Sequence, residues 1–173
     1  MPPESESEIV VTVEIPRGSR NKYEYDPELK AIVLDRRLFT STVYPADYGF
    51  VEATLGEDGD PLDALVLVED PTFPGCRIRT RAVAIFRMID EKGRDDKLVC
   101  VPQGDPTWAG VRDLGDINAA FRAEIEQFFR VYKDLEGGHT HTAGFGERSE
   151  ALSVLAEARA RKAAADSADD LRA

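Results

Sequence analysis

Asp58, Asp60 and Asp63 fall within six residues of one another, in the segment Gly56-Glu57-Asp58-Gly59-Asp60-Pro61-Leu62-Asp63. Carboxylates gathered this closely present hard oxygen donors, the ligand type that Mg²⁺ and Ca²⁺ prefer. The Gly, Pro and Asp content predicts a loop. The apolar run Ala64-Leu65-Val66-Leu67-Val68 behind it predicts a buried strand that carries the aspartates to one place. The Asp-x-Asp start does not continue as an EF-hand, which needs Asp or Asn where Leu62 stands and Gly where Asp63 stands. An acidic, solvated turn is the alternative reading of this loop taken alone. A second acidic connection, Asp90-Glu91-Lys92-Gly93-Arg94-Asp95-Asp96-Lys97, reads by itself as a charged hairpin. Cationic and phenolic residues, Lys22, Arg36, Tyr48, Lys97, Tyr132 and Lys133, lie at the ends of expected elements, where a scaffold lets side chains reach a ligand.

The elements that must position these groups follow from periodicity. Ile9, Val11, Val13 and Ile15 alternate with Val10, Thr12 and Glu14, the period of two that marks a strand, and Pro16 stops it. Further strands are expected over 22–25, 31–34, 41–52, 64–68, 77–89 and 97–101, separated by Pro, Gly and Asp. After Trp108 the period lengthens. Ile117, Phe121, Ile125, Phe128, Phe129 and Tyr132 form one helical stripe, with Asp116 placed as its N-cap. These aromatics and Trp108 read as packing residues rather than a ligand pocket. A second helix is expected over about 147–164, after the glycines 137, 138, 144 and 146. The fold class is therefore α+β with a mainly β core, built on a small closed or partly closed barrel.

The chain has 173 residues, enough for one substantial core, and a single domain over 9–162 is expected between polar tails at 1–8 and 163–173. Twenty-two Lys and Arg against 33 Asp and Glu give a net charge of −11, which disfavours nucleic acid as a partner. No run approaches the ~18 apolar residues of a membrane span, and the acidic N-terminus is unlike a signal peptide, so no membrane partner and a cytoplasmic location are expected. Cys76 and Cys100 make no Cys-x-x-Cys pair and read as two reduced thiols.

Taken together, Glu14-Ile15-Pro16, Lys22-Tyr23-Glu24, Asp35-Arg36, Tyr44-Pro45-Ala46-Asp47-Tyr48-Gly49-Phe50, Asp58-Gly59-Asp60-Pro61-Leu62-Asp63, Val101-Pro102 and Tyr132-Lys133-Asp134-Leu135-Glu136 resemble, in order and spacing, the signatures of family I soluble inorganic pyrophosphatases. The resemblance spans residues 9 to 136 and is most specific at Asp-Gly-Asp-Pro-Leu-Asp. It implies an OB-like five-stranded β-barrel flanked by two helices, several Mg²⁺ ions per active site, pyrophosphate as substrate, and a homohexamer of the bacterial kind.

By motif position the resemblance implies that Asp58, Asp63, Asp90 and Asp95 hold metal, with Glu14 and Glu24 reaching metal or its water at the rim. It implies that Lys22, Arg36, Tyr48, Lys97, Tyr132 and Lys133 grip the phosphates, and that Asp60 accepts a proton from the attacking water while Tyr44 restrains that base. Asp95 is the rival for the base. Beyond Glu136 the resemblance weakens: the chain reads Gly137-Gly138-His139-Thr140-His141-Thr142, with Phe145 near an expected Trp. His139 and His141 alone are too few to bind a transition metal. Two other functions compete: a noncatalytic OB-type binding module, which would need exposed aromatics and a basic groove, and a hydrolase of another polyphosphate or nucleotide.

Overall fold

The computed structural model describes residues 8–172. Of the expected N-terminal tail only Glu8 lies inside that range; the rest falls outside the described residues. The alternating segment Ile9–Ile15 forms β1, its apolar positions buried as the period of two requires. A hairpin follows, β2 (Asn21–Asp26) and β3 (Ala31–Arg37), which pair only with each other. Then come β4 (Asp47–Val51), β5 (Asp63–Val66), the long β6 (Arg77–Asp90), a short β7 (Gly93–Arg94) and β8 (Lys97–Pro102). Helix α1 (Ala119–Val131), strand β9 (His141–Glu147) and helix α2 (Arg148–Asp170) complete the chain.

The sheet closes on itself. β1 pairs β4, β4 pairs β5, β5 pairs β8, β8 pairs β6, and β6 returns to β1, a ring of five strands. β6 is 14 residues long, so its first residues close the ring while its second half also carries β9 and β7 at the edge. The expected five-stranded barrel is therefore present, with two strands added. At the β1–β4 contact the backbones approach so closely that a β-carbon on Gly49 would lie 1.9 Å from the Thr12 carbonyl oxygen, which only glycine avoids.

Two apolar layers form on the barrel strands. β5 and β8 are buried on both faces and accordingly read as continuous apolar runs. Leu65, Val99 and Val101 pack towards Ile125, Phe128 and Phe129 of α1, whereas Ala64, Val66, Leu98 and Cys100 pack towards Ala151, Leu155 and Ala158 of α2. The helical aromatics are core residues, as their spacing implied. Cys76 and Cys100 are free thiols, the latter buried.

Four boundaries differ from the sequence expectation. Asn118, not Asp116, caps α1 by accepting from the Ala120 and Phe121 N–H groups. Asp116 is already engaged, accepting from Arg112 and Asp113 N–H at 2.9 and 3.0 Å. The strand expected over 41–52 begins only at Asp47, because Pro45 has no N–H and the Tyr44 peptide bonds instead to Ser19 and Gly18. β9 forms across a glycine-rich stretch read as an interruption, because the edge of β6 supplies a partner for it. Helix α2 runs through Asp170, so most of the expected C-terminal tail is helical. Its alanines are strong helix formers, and Lys162 pairs with Asp166 at 2.7 Å, one turn apart.

Candidate active site

β5 and β8 are parallel neighbours, and their register places Asp63 directly beside Lys97, the first residue of each strand. Tyr48 approaches from β4. Lys97 is only 1 % exposed. Its ammonium donates to Asp63 Oδ2 at 3.0 Å, Asp95 Oδ2 at 3.0 Å and the Tyr48 hydroxyl at 2.8 Å, and Tyr48 in turn donates to Asp63 Oδ2 at 2.9 Å. Nζ also lies over the rings of Tyr48 and Phe129, at 5.2 and 5.5 Å. A lysine survives burial only with this degree of compensation. Burial opposes its charge, but Asp63 and Asp95 outweigh it and hold the ammonium above the ordinary lysine range.

Burial drives Asp95 the other way, up to about 7, with Lys97 opposing and Asp63 adding to the rise. Glu14 on β1 is likewise pushed up to about 7 by burial, against the Tyr25 N–H that it accepts at 2.8 Å, with further contributions from Asp63, Lys22 and Glu24. Two carboxyls that ionise reluctantly beside a third, with all-oxygen donors, form a place that a hard cation would stabilise. Among the described residues no three acidic, histidine or cysteine side chains close on one point as a cage. Mg²⁺ requires none, since it keeps several waters and takes one or two carboxylates together with phosphate oxygens. The donor set therefore fits it.

The phenols stay protonated here. Burial, then the Asp63 and Asp95 charges, raises Tyr48 well above its ordinary pKa, and burial lifts Tyr132 to about 12. Both remain hydrogen-bond donors at any physiological pH. Tyr44 is buried against Phe128 and Tyr48 at ring separations of 4.6 and 5.4 Å. Its hydroxyl feels Tyr132, Asp63, Arg36 and Glu14 after burial itself.

A second cluster lies on the β2–β3 hairpin. Arg36 is held bidentately by Glu136, donating from Nη2 to Oε2 at 2.7 Å and from Nε to Oε1 at 3.2 Å, and donates from Nη1 to Asp35 Oδ2 at 2.5 Å. Glu136 raises the Arg36 pKa and is itself lowered by it. Lys22 pairs with Glu24 and, at 3.4 Å, with Asp35. At Asp35 burial opposes ionisation, but Lys22 and Arg36 together outweigh it.

The aspartate loop supplies a third group. Gly56 N–H donates to the Asp60 carbonyl at 2.6 Å and Asp60 N–H to Asp58 Oδ1 at 3.0 Å, so the loop closes on itself. Asp58, Asp63 and Asp95 line one cavity of about 60 Å³. Asp60 is exposed on the turn, outside that lining. Asp90, at the end of β6, accepts from Lys92 N–H at 2.8 Å and acts electrostatically on Tyr132. Lys133 Nζ sits 5.4 Å from the Tyr132 ring centroid.

The structure thus joins Asp63, Asp95, Lys97 and Tyr48 in direct contact, brings Glu14, Tyr44 and Tyr132 within electrostatic reach, and sets Lys22, Glu24 and Arg36 at a neighbouring rim. Sequence reasoning assigned no role to Glu136 or Asp35, the partners of Arg36. Glu136 stands 100 residues from Arg36, and no local pattern announces such a pairing. His139 and His141 are exposed, and only His141 belongs to a strand.

A closed α+β barrel whose mouth sets a buried lysine between carboxylates, with arginine, lysine and phenols around it, defines a protein built to hold a compact anion together with a hard cation. The comparisons with known proteins narrow that class. The chain belongs to the inorganic pyrophosphatase family, whose model matches residues 11–163. It is 65 % identical over 131 residues to the inorganic pyrophosphatase of Streptomyces coelicolor, covering 76 % of this chain and 80 % of the relative. It is 52 % identical over 151 residues to that of Methanosarcina acetivorans, covering 87 % and 90 %. The crystal structure of the Thermus thermophilus inorganic pyrophosphatase superposes with a TM-score of 0.89 at 42 % identity, covering 92 % of this chain and 93 % of that one.

Proposed function

We propose that this protein hydrolyses inorganic pyrophosphate to two orthophosphates with Mg²⁺, as a cytoplasmic homohexamer whose catalytic domain spans residues 9–162. The observation that carries the reading is Lys97, fully buried yet charged, bonded at once to Asp63, Asp95 and Tyr48. An anion with dense charge needs cations placed in advance, and a site lacking substrate must balance those cations with carboxylates. Family membership of the whole barrel supports the same activity.

The division of labour follows from residue chemistry. Asp58, Asp63, Asp90 and Asp95, with Glu14 and Glu24 at the rim, are the oxygen donors that would hold Mg²⁺. When bound, the ions would neutralise phosphate oxygens and make water acidic enough to attack at neutral pH. Lys97, Lys22, Lys133 and Arg36 offset charge on the substrate and leaving phosphate, Arg36 through its planar fork. Tyr48 and Tyr132 donate hydrogen bonds and, remaining protonated, add no repulsion. Asp60 is our choice of general base. Its exposed carboxylate makes no ion pair among the described residues, whereas the Asp95 carboxylate is already bonded to Lys97 and is assigned to hold metal. Tyr44, expected to restrain that base, is buried and makes no hydrogen bond to the exposed Asp60; it packs instead against Tyr48 at a ring separation of 5.4 Å.

Purified protein should release phosphate from pyrophosphate with Mg²⁺ and none with EDTA, and should act at least about tenfold less on tripolyphosphate or ATP. Comparable rates on ATP would move the assignment to a broader polyphosphate hydrolase. Asp60→Asn losing far more activity than Asp95→Asn at saturating Mg²⁺ would identify the base; the reverse order would transfer that role to Asp95.

A further inference from the structure

The aspartate loop is tied to the C-terminal helix as well as to the barrel. At its base, Val51 N–H donates to the Leu62 carbonyl at 2.8 Å, and the buried Thr54 hydroxyl spans the same gap, donating to the Val51 carbonyl at 2.7 Å and accepting from Leu62 N–H at 3.0 Å. The arm above this base has no strand partner. Instead, Leu55 N–H donates to the Ala158 carbonyl at 3.0 Å, and Arg161 Nη1 donates to the Leu55 carbonyl at 2.7 Å. Both backbone groups of Leu55 are thus satisfied by α2, three residues before Asp58. The cavity lined by Asp58, Asp63 and Asp95 is also lined by Val154, Glu157, Ala158 and Arg161 of α2. Ala158 is 2 % exposed, so this stretch of the helix is seated in the core rather than resting on the surface.

We propose that Arg161 is a positioning residue for the cation site: by gripping the Leu55 carbonyl it holds the aspartate loop where Asp58 can share an ion with Asp63 and Asp95. The inference rests on the assignment of those aspartates as metal ligands. It adds that a residue 106 positions beyond Leu55, assigned neither to the metal nor to the substrate, sets how tightly the resting protein takes up Mg²⁺. Loss of the Arg161 grip leaves Asp63 on β5 and Asp95 in the β7–β8 connection and loosens the arm bearing Asp58, so the weakening is selective for metal uptake.

The test is calorimetric titration of Mg²⁺ into the metal-free full chain, for wild type, Arg161→Met, Arg161→Lys and Asp58→Asn, each checked for folding by circular dichroism. A hydrogen bond from a charged donor to a loop carbonyl, partly screened, corresponds to about a fivefold change in affinity. Arg161→Met is expected to weaken Mg²⁺ binding by about that factor, and the lysine variant, which still donates to Leu55, to restore most of it. At saturating Mg²⁺ the KM for pyrophosphate should stay within about twofold of wild type, because the phosphate-gripping side chains are untouched. Wild-type affinity in folded Arg161→Met, or equal losses in the methionine and lysine variants, overturns the proposal. If Arg161→Met does not fold, Arg161→Gln replaces it; failure of both to fold means that the residue serves stability alone and also overturns the proposal. Asp58→Asn separates the two layers. If it leaves Mg²⁺ binding unchanged the ligand assignment itself falls, whereas weakened binding there with none in Arg161→Met removes only the present inference.

Discussion

Replacing Lys97 with Met keeps the length of the side chain and removes its charge from between two carboxylates. In the metal-free protein Asp63 and Asp95 each lose a 3.0 Å bond to the ammonium, and Tyr48 loses one at 2.8 Å. Removing one partner of a buried pair costs about 3–5 kcal/mol. The Asp63 and Asp95 side chains are 28 % and 21 % exposed, which places the loss at the lower end, about 3 kcal/mol at pH 8. For a chain of 173 residues that is a fall of about 6–12 °C in Tm. At pH 5.5 the loss should be smaller, because Asp95, with its pKa near 7, is already protonated and leaves one fewer charge stranded. Lys97 is charged in wild type at both pH values, its pKa being held above the lysine range. Mg²⁺ should recover much of the pH 8 loss by supplying the missing positive charge. Scanning calorimetry in EDTA at both pH values, then with Mg²⁺, reads all three effects. A Tm for Lys97→Met within about 2 °C of wild type at pH 8, or equal losses at both pH values, would mean that Lys97 does not hold the charged Asp63 and Asp95 together.

Three further outcomes follow. Asp95 and Glu14 have native pKa values near 7, above the unfolded carboxylate range. Their contribution to stability is therefore fully present below pH ~4 and lost as pH rises through 7. At these two sites the metal-free protein should lose stability between pH 5 and 8 and the Mg²⁺-loaded protein gain it, a crossing visible in paired melting curves. Glu136→Ala should loosen Arg36 and raise the KM for pyrophosphate about fivefold, the bond being partly exposed, with Mg²⁺ affinity unchanged in the same titration. Cys100 is buried and its thiol is pushed up to about 12, so a disulfide-exchange reagent at pH 8 should label only Cys76 in native protein and both thiols in denaturant.

The legible parts of the fold were those governed by local period. β1 alternates cleanly, β5 and β8 read as apolar runs because both faces are buried, and the aromatic stripe of α1 matches its packing against Phe86 and Val99. Closure of the barrel came from the family resemblance, since β6 pairing with β1 at one end and β9 at the other has no local signature. β9 itself was hidden because Gly144 and Gly146 weaken strand propensity, and only the β6 edge makes the strand form. Within the site, residue types and motif spacing named the carboxylates and cations as candidates. They did not reveal that Lys97 is buried or that Asp63 is its register neighbour. Nor did they couple Arg36 to Glu136, or Leu55 to Arg161 across 106 positions. Such pairings are products of topology, which brings distant segments together only once the barrel has closed.

The carboxylate cluster around Lys97 is proposed to carry Mg²⁺-dependent pyrophosphate hydrolysis. Steady-state phosphate release by wild type and Asp63→Asn, both folded and at saturating Mg²⁺, tests it most directly. Rapid release by wild type and a loss of at least about a thousandfold in the variant are expected, since Asp63 is proposed to hold the cation and anchors Lys97 and Tyr48. No release by wild type, or turnover by folded Asp63→Asn close to that of wild type, would contradict it.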